Sequence, residues 1–540
     1  MKKRTGAIIF RLAVSVVISL SLLILSLHLY LKKNSSEIFR SFAEKLLNSR
    51  GSIYKIDHNS VDIDLLGEQV VVKNLEISFD EEKLKRSGLK KSMFLKASIP
   101  LILISGISIS DLVIFHKISA DRILLKKGKF KFYLFKQNKT KKKHPHKSHT
   151  GPVISLGGIV MEETDIEFFT DISTSPKSGL TGVDLDIGKV EFSPTKKAGK
   201  KFNGKIPRLK FNINNSFIFF KKSGYKVETG SIRFGSTDSS VLLKDFKYEP
   251  SSEKILRTKI LQKGRYHHFD ISEINLKNID IKELAYNGRF RAGQLYLYNP
   301  NMYFFRNRNI RRMQTVNAKK LPQEIFRKAG LKVDIDLIRI KRGEIKYTEI
   351  SPGERMGESL LFRELETSIH DVSNFPEILR RGKESEISIS TRVMGKSLLK
   401  GRIMIPVNNK ADKFSFSGSL AKTDPSDFNR FLKRNVKVKI DKGKINYMKF
   451  SVQADKNSAS GSMKLSYNNL HLMVMRKKSS TRKRRFVTFL ANTLTYKNNP
   501  TRIGRKVRTG KIHYKRVVKS SIFNYMWKCL LTGIKSSIKI

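Results

Sequence analysis

The stretch VDIDLIRIKRGEIKYTE, Val333 to Glu349, decides the fold. Apolar and polar side chains alternate along it, the period of two that sends successive residues to opposite faces of a pleated strand. The alternation holds outward in both directions. From Ser52 it runs through Val61, Ile63 and Leu65, then Val72, Leu75, Ile77 and Phe79, and then IPLILISGISISDLVIF (Ile99 to Phe115). It persists in KFKFYLF, DIEFF, VDLDIGKVEF, LKFNINNSFIFF, SEISIS, FSFSGSL and KVKIDKGKINYMKFSV, so the chain is expected to be mainly β. Few stretches read as helix; DPSDFNRFLKR (Asp424 to Arg434) is the clearest, with Asp424 as N-cap and Pro425 at the first position.

Two phrases repeat. Gly-x-[Phe/Ile]-x-[Phe/Tyr] occurs at Gly128, Gly230, Gly343 and Gly443, roughly 100 residues apart each time. Val-Asp-[Ile/Leu]-Asp-[Leu/Ile] occurs at Val61, Val183 and Val333. Read as turn-then-strand phrases, they predict a sheet extended by similar hairpin units, with generic strand chemistry as the alternative source of the echoes.

Leu12 to Leu31, LAVSVVISLSLLILSLHLYL, breaks the pattern, because only its serines and His28 are polar. As a helix at about 1.5 Å per residue it is long enough to span a hydrocarbon core of roughly 30 Å. The run is too long for a signal-peptide core and no small-residue cleavage site follows, which predicts an uncleaved signal anchor. Lys2, Lys3, Arg4 and Arg11 precede it and Lys32 and Lys33 follow, a thin bias toward a cytoplasmic N-terminus. Asn34 to Asn48 reads as an amphipathic helix, with Asn34 and Glu37 at capping-box spacing and Ile38, Phe39, Phe42, Leu46 and Leu47 on one face.

Composition bounds the rest. Hydrophobic residues make up 39% and charged ones 29%, which fits a water-folded body and neither a bundle of membrane spans nor an acidic brush. The single cysteine, Cys529, excludes an intrachain disulfide framework and any CxxC site. Lys and Arg number 107 against 47 Asp and Glu, a net charge of +60 that attracts polyanions: nucleic acid, anionic phospholipid or lipopolysaccharide phosphate. The surplus is steepest at the end, since no acidic residue follows Asp455. Basic clusters fall at Lys136 to Pro152, a solvated loop by composition, and at Arg476 to Arg485.

Candidate chemistry is sparse. His144, His146 and His149 have spacing that could converge on a metal, but neighbouring lysines and the lack of Cys, Asp or Glu favour a solvated loop. The pairs Asp62/Asp64, Asp184/Asp186 and Asp334/Asp336 sit at i and i+2, on one face of a strand and away from the flanking apolar residues, so they read as polar faces. GxSxG, HExxH and GxGxxG are absent, and GRFRAGQ (Gly288 to Gln294) lacks the Lys-Ser/Thr of a phosphate loop, so no enzyme, metal or cofactor is expected. In the last segment Ile522, Phe523, Met526, Trp527, Leu530, Leu531 and Ile534 share a helical face opposite Lys519, Asn524, Lys528 and Lys535. That helix suits either a membrane interface or a cap on the end of the sheet.

Taken together, these residues resemble the AsmA-like envelope proteins, the group with TamB-like and YhdP-like members. The likeness rests on the anchor, the short helix, NSVDIDLLGEQVVVKNLEISF and ASIPLILISGISISDLVIF in that order. SFSGSLAKTDPSDFNR, VKIDKGKINYMKFSVQADKNSASGSMKLSYNNL and the tail SIFNYMWKCLLTGIK are similar to the C-terminal region of such proteins. The resemblance implies a single-pass inner-membrane protein with its bulk in the periplasm of a Gram-negative envelope. It also implies an elongated, curved, gutter-shaped antiparallel sheet, linked to outer-membrane assembly and phospholipid traffic. The chain then divides into 1–33 (cytoplasmic end and anchor), 34–135 (helix and opening β-region), 136–152 (basic loop), 153–475 (repetitive groove) and 476–540 (basic segment with amphipathic helix).

Exposing an acyl chain costs about 0.8 kcal/mol per CH₂, so a two-tailed lipid leaving a bilayer unaided faces roughly 25 kcal/mol, a barrier that an apolar trough removes. Expected groove-lining residues are Ile63, Leu65, Ile335, Leu337, Ile345 and Ile445. Expected membrane-surface residues are Phe523, Met526, Trp527, Leu530, Lys519, Lys528, Arg482, Arg484 and Arg485. The expected partners are phospholipids, anionic headgroups and other envelope proteins, and not nucleic acid. The alternatives are a non-transporting envelope scaffold with a filled interior and an anchored polyanion binder.

Overall fold

A computed structural model describes residues 26, 29–30, 32–37, 39–41, 53–64, 66–82, 93–108, 111, 117–134, 153–170, 175–192, 208–310, 318–408, 411–435, 438–474, 496–502 and 504–538. The chain is mainly β and divides into two compact units, residues 1–218 with 230–237, and residues 219–229 with 238–540. The expected anchor lies outside the described residues save for Ser26, Leu29 and Tyr30, as do both basic clusters and the three loop histidines. No helix among the described residues is long and apolar enough to cross a membrane.

In the first unit the strand Gln69–Phe79 pairs antiparallel with Tyr54–Asp57, Ser60–Asp64 and Met93–Ser105. The ladder continues through Arg122–Lys126 and Lys129–Leu134 to Ile159–Phe169, Ser178–Ile187, Leu209–Phe220 and Ser231–Gly235. It is not wholly antiparallel, because Arg122–Lys126 and Lys129–Leu134 both run parallel to Ile159–Phe169. A separate small sheet joins Lys117–Ala120, Val153–Leu156 and Val190–Phe192. Phe39, from the described part of the expected amphipathic helix, packs on the cluster Ile56, Val61, Val72, Leu75, Ala97 and Ile99.

In the second unit Tyr225–Thr229 and Arg265–Ile279 flank Ser240–Pro250. Phe290–Tyr298 and Asn301–Asn307 then run parallel to Val333–Ile350, the opening stretch, which is one strand of 18 residues. Glu358–Ser373, Ser385–Val393, Ser397–Ile405, Phe414–Leu420, Val438–Ala454, Ser458–Val474 and Thr509–Lys515 follow, each antiparallel to the one before. Asp424 caps a short 3₁₀ turn, Pro425–Phe428, by accepting from the Ser426 amide at 2.9 Å, and the helix Asn429–Asn435 continues it. The C-terminal helix, Ile522–Ile538, lies on the last strands.

The four echoing glycines do not open hairpins, which corrects the expectation of turn-led units. Gly128 and Gly230 each separate two segments of one run, and Gly343 and Gly443 lie inside single long strands where the register shifts. Each marks a bulge or break within a strand. The irregularities also line up across strands. In the second unit Asp245, Asn299, Arg342 and Glu364 all take positive φ, between 50° and 53°, at one level of the ladder, with the strand Arg265–Ile279 unbulged there between the first two. In the first unit Asn74 (φ 50°), Lys127 (φ 55°), Glu163 (φ 48°) and Gly182 (φ 61°) do the same, with Met93–Ser105 unbulged between the first two. A row of bulges is a crease, where most of the strands bend at one level and the alternation of faces along them resets.

Candidate functional site

Register, carried strand by strand through these creases, assigns each side chain to a face. In the second unit one line of mutually paired residues runs Val241, Leu276, Leu295, Ile338, Ile369, Ile387, Ile403, Phe416 and Val452. A second line, beyond the crease, runs Tyr248, Phe269, Met302, Ile345, Phe362 and Val393. The first unit carries its own line: Val61, Val72, Ile102, Leu125, Met161, Leu185, Phe211 and Phe234. Every residue of the three lines is apolar, although strand neighbours such as Lys277, Arg339, Glu386 and Arg402 are charged. Such agreement through so many ladder steps defines one apolar face per unit.

Burial along each line shows what covers that face. A side chain on an uncovered sheet is half-shielded by its strand neighbours and becomes fully buried only where a second layer packs on it. From Val241 to Ile403 every member of the first line is half-buried, whereas Phe416 is 3% and Val452 1% exposed under the C-terminal helix. In the first unit Val72 is 1% exposed beside Phe39, while Met161, Leu185, Phe211 and Phe234 are half-buried. The strands from Val241 to Ile387, at about 4.8 Å spacing, give an uncovered apolar span of roughly 24 Å. That exceeds half the roughly 30 Å hydrocarbon core, which is the reach of one acyl chain.

The opposite face is polar. In the first unit Lys126 pairs with Glu162 at 3.0 Å and Arg208 with Asp186 at 3.0 Å, so the Asp184/Asp186 pair stands on a charged surface. In the second, Lys341 lies 5.6 Å from the Tyr296 ring and 5.5 Å from that of Tyr298, and Lys346 is 5.6 Å from Tyr303. Asp334 departs from the polar-surface expectation: it is buried and accepts from Arg291 Nε at 2.9 Å.

The expected groove residues separate accordingly. Ile345 is on the apolar face, and Ile63 pairs with Val70 in the first unit beside the Phe39 cluster. Leu337 is in register with Gln294 and His370, one step from Ile338, and so stands on the polar face, against expectation. Ile445 packs against the covered core and Ile335 is buried between Ala292 and Val372. Leu65 lies outside the described residues.

The C-terminal helix is turned from its expected orientation. Tyr525, Cys529 and Gly533 face the sheet, with Cys529 fully buried; Met526 and Leu530 flank them against the core. Phe523, 79% exposed, and Trp527, 38% exposed, point outward, Lys519 is exposed, and Lys528 is half-exposed. The helix approaches closely because Gly533 and Gly510 have no side chain; a Cβ on Gly533 would come within 2.8 Å of Ile512. Burial pushes the Cys529 thiol up to about 11, so it is a packing group and not a nucleophile at neutral pH. Arg482, Arg484 and Arg485 lie outside the described residues.

Two features of the second unit escaped sequence reasoning. Tyr225, Tyr248, His267 and Phe269 stack on one another, with ring centroids 4.7 to 5.6 Å apart, and Lys259 lies 4.3 Å above Tyr225. Burial lowers the pKa of both Lys259 and His267, and their mutual positive charge adds to it for His267. Asn374, fully buried, donates to the carbonyls of Phe326 and Leu331 at 3.0 Å and accepts from the Val333 amide at 2.7 Å, pinning the start of the long strand.

No group of three or more metal-ligating side chains is found among the described residues. The chain matches no protein-family model and no curated protein.

Proposed function

We propose that this chain is a membrane-tethered β-groove protein of AsmA-like type that carries phospholipid acyl chains along its apolar sheet faces. In this reading the bulk of the protein lies in the periplasm and serves outer-membrane assembly. The in-register apolar lines, left half-exposed over most of their length while the reverse face carries charge, support the reading. A filled scaffold would need a second layer over Val241 to Ile387, and none of those line residues belongs to a core cluster. Each methylene moved from water onto such a face is worth about 0.8 kcal/mol, so a bound tail is held without any polar contact.

Register supplies the test. A photo-crosslinking amino acid at Ile338 or Ile369 in cells is expected to trap phospholipid, and the same group at Leu337 or His370, one residue away on the other face, is not. Equal adduct yields on the two faces, or none on either, would sink the proposal.

A further inference from the structure

The last four strands carry a different surface on the face away from the C-terminal helix. Ser419, Lys449, Lys464 and Thr509 form one in-register line, and Ser417, Ser451, Ser462 and Lys511 form the next. Ser415, Gln453, Ser460 and His513 form a third. Over these twelve positions there is no acidic and no apolar side chain. The reverse side of the same strands is a buried hydrophobic core, with Val452 and Met463 both 1% exposed, so the surface is a firmly backed floor.

Two observations point to an anion. Lys449 and Lys464 are direct cross-strand partners, and like charges placed so destabilise a sheet. Neither they nor Lys511 has an ion-pair partner among the described residues, whereas Arg363, Arg392 and Arg402, on the neighbouring strands of the same face, pair with Glu344, Glu364 and Glu386. Between the lysines the side chains are serines, short enough to let a partner come near the backbone and each able to donate and accept one hydrogen bond. None of the twelve side chains is aromatic, and the neighbouring ring of Tyr447 has the Lys449 ammonium 5.9 Å from its centroid, so there is no row of free rings for bases to stack on, and none of the twelve is apolar to enter a bilayer.

We propose that this floor binds a phosphate-bearing carbohydrate, with Lys449, Lys464 and Lys511 holding the phosphates and Ser417, Ser451 and Ser462 bonding to sugar hydroxyls. The site lies on the opposite face from the acyl-binding surface and does not depend on it.

The test uses the full-length protein in detergent micelles, with phosphorylated dextran as probe. Unphosphorylated dextran, single-stranded DNA and vesicles rich in phosphatidylglycerol are the comparisons. Phosphodextran is expected to bind tightest. The double variant K449S/K464S should lose at least tenfold in affinity, and S451V/S462V, which keeps the charge but fills the floor, should lose a similar factor. Thermal melting of K449S/K464S should be unchanged or raised, since a repulsion is removed; a lowered midpoint would assign the two lysines a structural role and overturn the proposal. Wild-type affinity in S451V/S462V would reduce the effect to diffuse attraction by a basic protein and also overturn it. Tighter, equally variant-sensitive binding of DNA or vesicles would give the face to another partner, with the same consequence.

Discussion

At the scale of single residues, His267 shows how the apolar face tunes a titratable group. Its ring stacks on Tyr225 and Tyr248, and burial, with Lys259 and Arg265 nearby, holds its pKa below the ordinary value. The unfolded chain therefore binds a proton near pH 6.5 that the folded chain resists, so stability present above that pH is lost as the pH falls through it. Between pH 7 and 5 the melting temperature should fall, and in H267F the fall should be smaller by roughly 1–2 °C because the ring is only half buried. An unchanged slope in H267F, followed by circular dichroism, would remove His267 as a contributor. Residues also show where sequence legibility ended. In Asp336-Leu337-Ile338-Arg339-Ile340 two apolar residues are adjacent, and alternation counted from Val333 selects Leu337 where the register selects Ile338. Nothing in Arg342 or Glu364, the positive-φ residues that reset the count, marks them as bulges, since such conformations are usually taken by glycine or asparagine.

At the scale of elements, period two located the strands well, because alternation is a local consequence of one face being wetter than the other. The Asp424 cap was also legible, since a cap is made within three residues. Partnership was not: the parallel pairing of Phe290–Tyr298 with Val333–Ile350 spans a crossover with no local signature. The orientation of the C-terminal helix was hidden for a related reason. Its sheet-facing stripe is Tyr525, Cys529 and Gly533, less apolar than its flank, and close approach outweighs side-chain area there. G533L should accordingly push the helix from Ile512 and Met463, cost about 3 kcal/mol, and deprotect Thr509–Lys515 in hydrogen exchange. Native-like protection in that variant would mean the helix is not seated through this glycine.

At the scale of the molecule, each unit pairs an uncovered apolar sheet face with a charged reverse face. Soluble proteins rarely leave contiguous apolar patches beyond a few hundred Å² uncovered, so such a surface calls for an occupant. The native protein should bind a fluorescent apolar dye without denaturant, and lysophospholipid should displace it. The pair I338D/I387D should bind several-fold less dye with secondary structure retained, whereas undiminished binding would place the dye elsewhere. The creases carry one further implication. Because the bulges of neighbouring strands stand at one level, losing a single residue such as Arg342 would act like a frameshift in the sheet, moving every side chain beyond it from the apolar face to the charged one. Length in this protein can therefore change only in steps that leave each strand in phase with its neighbours.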